Sequence, residues 1–118
     1  MKIRTEKGDV NIAGEIFTTI SGFAASNSFG VKGMVARTVQ DGIVQLLRKE
    51  SLAKGVKVSF PEDSGVVNIE LHIEVDHGVN MPAVCGAMVG EVRYNVEKLT
   101  GVPVGTVDIY VDAIASGT

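Results

Sequence analysis

Met81-Pro82-Ala83-Val84-Cys85-Gly86-Ala87-Met88-Val89-Gly90-Glu91-Val92-Arg93-Tyr94-Asn95-Val96-Glu97-Lys98-Leu99-Thr100, closed by Gly101, is the stretch that decides the fold. Met81, Val84, Cys85, Met88, Val89, Val92, Val96 and Leu99 recur at spacings that put them on one side of a 3.6-residue helix. Asn80 suits the N-cap, and Pro82 is tolerated in the first turn, where its missing N–H leaves no helical acceptor unserved. The other side of the first half carries Ala83, Gly86, Ala87 and Gly90, a second apolar face made of small residues. Gly86 and Gly90 form a groove that another backbone can approach closely. Two partners are open for it: another helix of the same chain, with Gly22 as the matching small residue, or another subunit. G-x-x-x-G marks a membrane helix only inside an apolar 20-mer. Glu91, Arg93, Glu97 and Lys98 exclude that here.

A strand reads directly into this helix. Val67, Ile69, Leu71, Ile73 and Val75 alternate with Asn68, Glu70, His72, Glu74 and Asp76, the pattern of an antiparallel strand with one face in a core and one in water. Upstream, Val56, Val58 and Phe60 alternate as its hairpin partner. Lys54-Gly55 is the entry, and Pro61-Glu62-Asp63-Ser64-Gly65 is the turn. Downstream of the helix and Pro103, Val107, Ile109, Val111 and Ala113 form a last strand, reached through a potential parallel crossover. Near the start, Val10 and Ile12 read as a short strand. Ile16, Phe17, Ile20, Phe23 and Ala24 then recur as a first helix, with Glu15 in its first turn. Gly22 within that helix marks a close contact with another backbone. Gly30 is placed to end the helix, Val31 to Val35 start a strand, and Asp41 caps a short helix carrying Ile43, Leu46 and Leu47. The order is strand, helix, strand, short helix, hairpin, long helix, strand. This predicts one α+β domain over residues 1–118, a mostly antiparallel sheet with the helices on one face.

The totals agree with a folded domain. The chain has 118 residues, 45% hydrophobic and 21% charged, and a net charge of −3 that argues against a phosphate-binding surface. Its 14 glycines exceed average usage, and its single cysteine allows no internal disulfide. No apolar run reaches membrane-spanning length, and the first residues do not continue into a signal peptide. These features predict a cytoplasmic protein.

No catalytic constellation is visible. Glu70, His72, Glu74 and Asp76 share a strand face, which reads as a solvated surface; a single strand rarely closes a metal's coordination sphere. Neither a metal nor a cofactor is expected. Cys85 lies on the core stripe of the long helix and reads as a small buried hydrophobe, with a reactive thiol as the alternative. Gly30-Val31-Lys32-Gly33 resembles the nucleic-acid-clamping loop of KH domains, but that loop joins two helices, whereas Met34-Val35-Ala36 reads as extended; a nucleic-acid-binding module using Gly30 to Gly33, with Lys32 and Arg37, is the alternative function. Residues 48–57 carry Arg48, Lys49, Lys54 and Lys57 against Glu50 alone. Residues 62–76 carry Glu62, Asp63, Glu70, Glu74 and Asp76 with no Lys or Arg. Either this is ordinary solvated surface, or Lys54 and Lys57 of one copy meet Glu70 and Glu74 of the next.

The succession of blocks is itself informative. Gly8-Asp9-Val10-Asn11-Ile12, Gly30-Val31-Lys32-Gly33-Met34, Asp41-Gly42-Ile43 through Leu47, and Lys54-Gly55-Val56-Lys57-Val58 follow in order. Ile73-Glu74-Val75-Asp76-His77-Gly78, Leu99-Thr100-Gly101 and Val107-Asp108-Ile109-Tyr110-Val111 complete the series. Over nearly its whole length the chain resembles the alkaline shock protein family, the cell-envelope stress-response family of Gram-positive bacteria. The resemblance implies a small, non-enzymatic cytoplasmic protein linked to envelope or alkaline stress. It also implies self-association, and in some members a membrane-anchored protein partner that holds the protein at the membrane periphery. The family supplies no catalytic residues to carry over, and nucleic acid is not an expected partner. Ala13-Gly14 departs from the polar cap that often precedes the first helix, and the short flanks suggest a minimal version. The candidate interaction surface is therefore Ala83, Gly86, Ala87 and Gly90 with Lys54, Lys57, Glu70 and Glu74.

Overall fold

The alternation from Val67 to Val75 becomes the central strand of the molecule. Every second side chain along it is buried and every other one half-buried. The computed structural model describes residues 1–37, 44–46 and 49–116. In chain order these form β1 (Lys2–Thr5), β2 (Gly8–Asn11), α1 (Gly14–Ser26), β3 (Val31–Arg37), β4 (Val44–Leu46), a 3₁₀ segment (Lys49–Gly55), β5 (Val56–Ser59), β6 (Val67–Val75), α2 (Met81–Thr100) and β7 (Val104–Ile114). The class is α+β, as expected.

β7 runs parallel to β6 along its whole length, while β5 and β3 pair antiparallel with its first and last parts. β5 and β3 therefore share one edge of β6 end to end, and β7 holds the other. Among the described residues β6–β7 is the one parallel pairing, so the sheet is mostly antiparallel. β1 and β2 form a separate hairpin, with Ile3 opposite Val10. The β1 strand was not expected from the sequence, because Lys2-Ile3-Arg4-Thr5 carries a single apolar residue.

The core lies between the apolar face of the sheet and the two helices. Val67, Ile69, Leu71, Ile73 and Val75 of β6 meet Phe17 and Ala25 of α1 and Val84, Met88, Val92 and Val96 of α2. α2 has the predicted bounds and caps. The Asn80 side chain accepts from the Ala83 N–H at 3.1 Å, and Gly101, at φ 74°, donates its N–H to the Glu97 carbonyl. The Glu97 carboxylate then accepts from the Val104 N–H at 2.9 Å, tying the end of α2 to the start of β7.

Three expectations are corrected. The short helix over residues 41–47 does not form at Val44–Leu46, which is instead β4, paired with β3 from Val35 to Arg37; Asp41, Ile43 and Leu47 lie outside the described residues. Four apolar residues in seven fit a paired strand as well as a helix, and β3 supplies the partner. Gly30 does not end α1, which stops at Ser26; at φ 84° it turns the chain into β3 beneath Val84, where a Cβ would lie 2.6 Å from Val84 Cγ2. The most buried side of α1 is Phe17, Ser21, Gly22 and Ala25; of the predicted stripe Phe17 is in the core and Ile20 and Ala24 pack partly buried against it, but Ile16 and Phe23 are left exposed. The reason is close approach. A Cβ on Gly22 would sit 3.0 Å from the Leu52 carbonyl oxygen, so the 3₁₀ segment packs backbone against the small side of α1.

Candidate interaction surface

The eight residues singled out from the sequence fall on two separate surfaces. Ala83, Gly86, Ala87 and Gly90 are exposed together on α2. A Cβ on Gly86 or Gly90 would meet no atom within 4 Å. Among the described residues nothing covers Gly86 or Gly90, and Gly22, the matching small residue considered for an intramolecular contact, faces the 3₁₀ segment rather than α2. Lys57, Glu70 and Glu74 lie on the sheet face opposite the helices, and Lys54 is exposed in the 3₁₀ segment.

On the helix layer, the apolar flank that α1 does not bury adds to the small residues of α2. Ile16 is 48% exposed, Phe23 51% and Phe29, in the turn after α1, 91%. A groove of about 780 Å³ runs between the helices, lined by Ile20, Phe23 and Ala24 on one side and Ala87, Glu91 and Leu99 on the other. A second hollow of about 410 Å³ lies at the start of α2 between Val79, Ala83 and Val84. Phe29 and Ala87 border both. Scattered apolar residues on a surface are normal, but here Phe23, Phe29, Ala87 and Leu99 line one groove. Sequence reasoning missed Phe29 and Phe23. Phe23 fits the helical period as well as a core residue does, and Phe29 has no periodic neighbours; only its place beside Gly30 hinted at a turn.

The open sheet face is polar and internally paired. Lys57, Glu70 and Asp108 are register neighbours across β5, β6 and β7, so Lys57 of the basic block stands beside two acidic residues of the same copy. His72 lies between two carboxylates: Nδ1 is 2.7 Å from Asp112 Oδ2 and Nε2 is 2.8 Å from Glu70 Oε2. A neutral ring has one N–H and serves one of them, while the doubly protonated ring donates to both. Tyr110 stacks on the ring at 4.9 Å with 10° between planes. Among the described residues no group of His, Cys, Asp and Glu is arranged to hold a metal ion. Gly30 to Gly33 joins a helix to a strand, with Gly33 buried in the sheet, unlike a loop that clamps nucleic acid between two helices.

Cys85 is half-buried on α2, and burial pushes its thiol up from the ordinary value. The folded chain thus holds this proton to higher pH than the unfolded chain does, and the resulting stability is lost as pH rises through the folded value. At pH 8, alkylation of Cys85 by iodoacetamide should be slower in the native protein than in urea, because the thiolate is the nucleophile. Equal rates would show a thiol as free as in the open chain.

An α+β domain with one helix-covered sheet face and an exposed apolar helix layer is the class this geometry defines. The alkaline shock protein family, described as having a cell envelope-related function, matches residues 2–116. The chain belongs to this family. It is 30% identical to YloU of Bacillus subtilis strain 168 over 115 residues, covering 97% of this chain and 94% of YloU. It is 31% identical to Spy1614 of Streptococcus pyogenes serotype M6 over 115 residues, covering 97% of this chain and 93% of that one. Bacillus subtilis YqhY is 30% identical over 114 residues, 97% of this chain and 82% of YqhY. No solved structure matches. Among the described residues no helix is long and apolar enough to cross a membrane.

Proposed function

We propose that this protein is a non-enzymatic cytoplasmic stress-response protein of cell-envelope homeostasis. It acts through self-association and through protein partners, one of them membrane-anchored. The observation that carries this reading is the exposed helix layer: bare glycines at 86 and 90 beside the apolar groove and Phe29. A helix interior with two glycines loses about 1 kcal/mol at each relative to alanine. Among the described residues nothing requires either glycine, since neither approaches another described part of the chain. A contact with another protein accounts for both, because a glycine face lets a partner backbone lie close. Membership of a family with a cell envelope-related function supports placing that partner at the envelope.

The test is membrane recovery in the native cell. Tagged wild-type protein should sediment in part with the membrane fraction, and a Gly86→Leu, Gly90→Leu, Phe29→Asp variant of unchanged circular dichroism should remain in the supernatant. Equal sedimentation of the two proteins would remove the helix layer as the docking surface.

A further inference from the structure

β7 is an edge strand with no partner on its far side among the described residues. An edge of this kind is a template for another chain, and folds usually blunt it with lysine, proline or an inward charge. β7 contains no lysine, proline or inward charge, and its bulges, which also blunt an edge, stand only at its two ends and leave Val107–Val111 regular; its only charged residues, Asp108 and Asp112, belong to the open face with Tyr110. Its core-facing residues are also unfinished. Val107, Ile109 and Val111 pack against the core but stay partly exposed, whereas the inward residues of β6 beside them are at most 1% exposed.

We propose that β7 pairs antiparallel with β7 of a second copy, about a two-fold axis at Ile109, joining two sheets into one. This rests on the self-association in the proposed function and gives it a surface of its own, separate from the helix layer. The register follows from charge and from the shape of the strand. Relative to β6, β7 carries one extra residue between Val104 and Val107 and another between Val111 and Ala113. The regular run is therefore Val107–Val111, with a bulge at each end. An axis at Asp108 sets Asp108 against its own copy, and one at Tyr110 sets Asp108 against Asp112; like charges directly opposite are destabilising. Axes at Val107 or Val111 carry the pairing into a bulge. The axis at Ile109 uses the whole regular run. It places Asp108 opposite Tyr110 on the open face, and on the core side Val107 opposite Val111 with Ile109 opposite itself. An isologous contact of this type closes as a dimer. Both helix layers then lie on the same side of the joined sheet and remain open to the partner.

The purified chain should have a mass near twice 12.4 kDa by light scattering, falling toward 12.4 kDa on dilution. Tyr110→Asp sets carboxylate against carboxylate twice and should weaken the dimer; Tyr110→Lys sets an ammonium against Asp108 twice and should strengthen it. Both lose the stack on His72, so the comparison isolates charge. Their dissociation constants should differ by about tenfold or more at low salt, and the gap should close at high salt. In a Cys85→Ala background, Ile109→Cys should form a disulfide-linked dimer under mild oxidation, and Val107→Cys should not. A monomer at every concentration overturns the proposal, as does a dimer that binds equally tightly with Asp and Lys at position 110. A monomer that still sediments with membranes overturns this inference together with the self-association it rests on and leaves the membrane-anchored partner standing, whereas a dimer indifferent to the charge at position 110 overturns only this inference. A dimer that stays in the supernatant overturns only the helix-layer docking.

Discussion

Gly22→Leu should destabilise the fold by about 3 kcal/mol or more, while Gly90→Leu should raise the melting temperature. In a solvated helix both changes would gain up to about 0.8 kcal/mol, because leucine is a far better helix former than glycine. The difference lies in what the new side chain meets. At position 22 even a Cβ lies 3.0 Å from the Leu52 carbonyl oxygen and 3.1 Å from its carbon, both backbone atoms that cannot rotate away. A leucine there must push the 3₁₀ segment off α1, and with it the start of β5. At position 90 the Cβ meets nothing within 4 Å. Urea unfolding of the two variants, followed by far-ultraviolet circular dichroism, reads both signs in one experiment. A Gly90→Leu protein that unfolds as readily as Gly22→Leu would mean that the small face of α2 is packed within the chain after all.

Met88→Ala is expected to cost about 2–5 kcal/mol. Met88 has no exposed surface and sits in the middle of the buried stripe of α2, between Val84 and Val92, facing the inward residues of β6. Truncation removes the transfer energy of the side chain and leaves a cavity that a sheet and two helices cannot collapse to fill. Domains of this size are typically stable by only about 5–15 kcal/mol, so the loss is a large part of the whole. Chemical denaturation should show a lower midpoint with an unchanged slope, since the surface exposed on unfolding barely changes. A midpoint within experimental error of wild type would place Met88 outside the core.

The parts of this fold that were legible in the sequence are those in which local signals agree. α2 has a capping side chain at Asn80, a proline in its first turn, four buried residues at helical spacing and a left-handed glycine at its end. β6 has a period of two without a break over nine residues. A one-residue slip in that strand would turn all its apolar side chains into water, so its register is strongly specified. α1 is different. Ile16 and Phe23 fit the helical period as well as Phe17 does, and hydrophobicity alone favours burying them. The 3₁₀ segment packs instead on Gly22, where its backbone can come closest, and Ile16 and Phe23 are left outside. β4 was illegible for a related reason, because a three-residue strand exists only through the partner it pairs with.

The candidate surface divides in the same way. Composition and spacing alone singled out Ala83, Gly86, Ala87 and Gly90 as a face distinct from the core stripe, because helical geometry separates the two whatever surrounds the helix. Whether that face is covered depends on where α1 lies, and this in turn depends on contacts between residues far apart in the chain, such as Gly22 with Leu52. The charged residues show the same limit. Lys57 and Glu70 belong to opposite blocks along the chain, yet antiparallel pairing of β5 with β6 sets them side by side. By itself the sequence determined the long helix, the strand that feeds it, the α+β class and the family, all of which rest on local periodicity and on ordered short motifs. Only the tertiary structure decided which apolar side chains are left exposed and, among the described residues, that β7 ends the sheet, because burial and edge position are properties of neighbours distant in the chain.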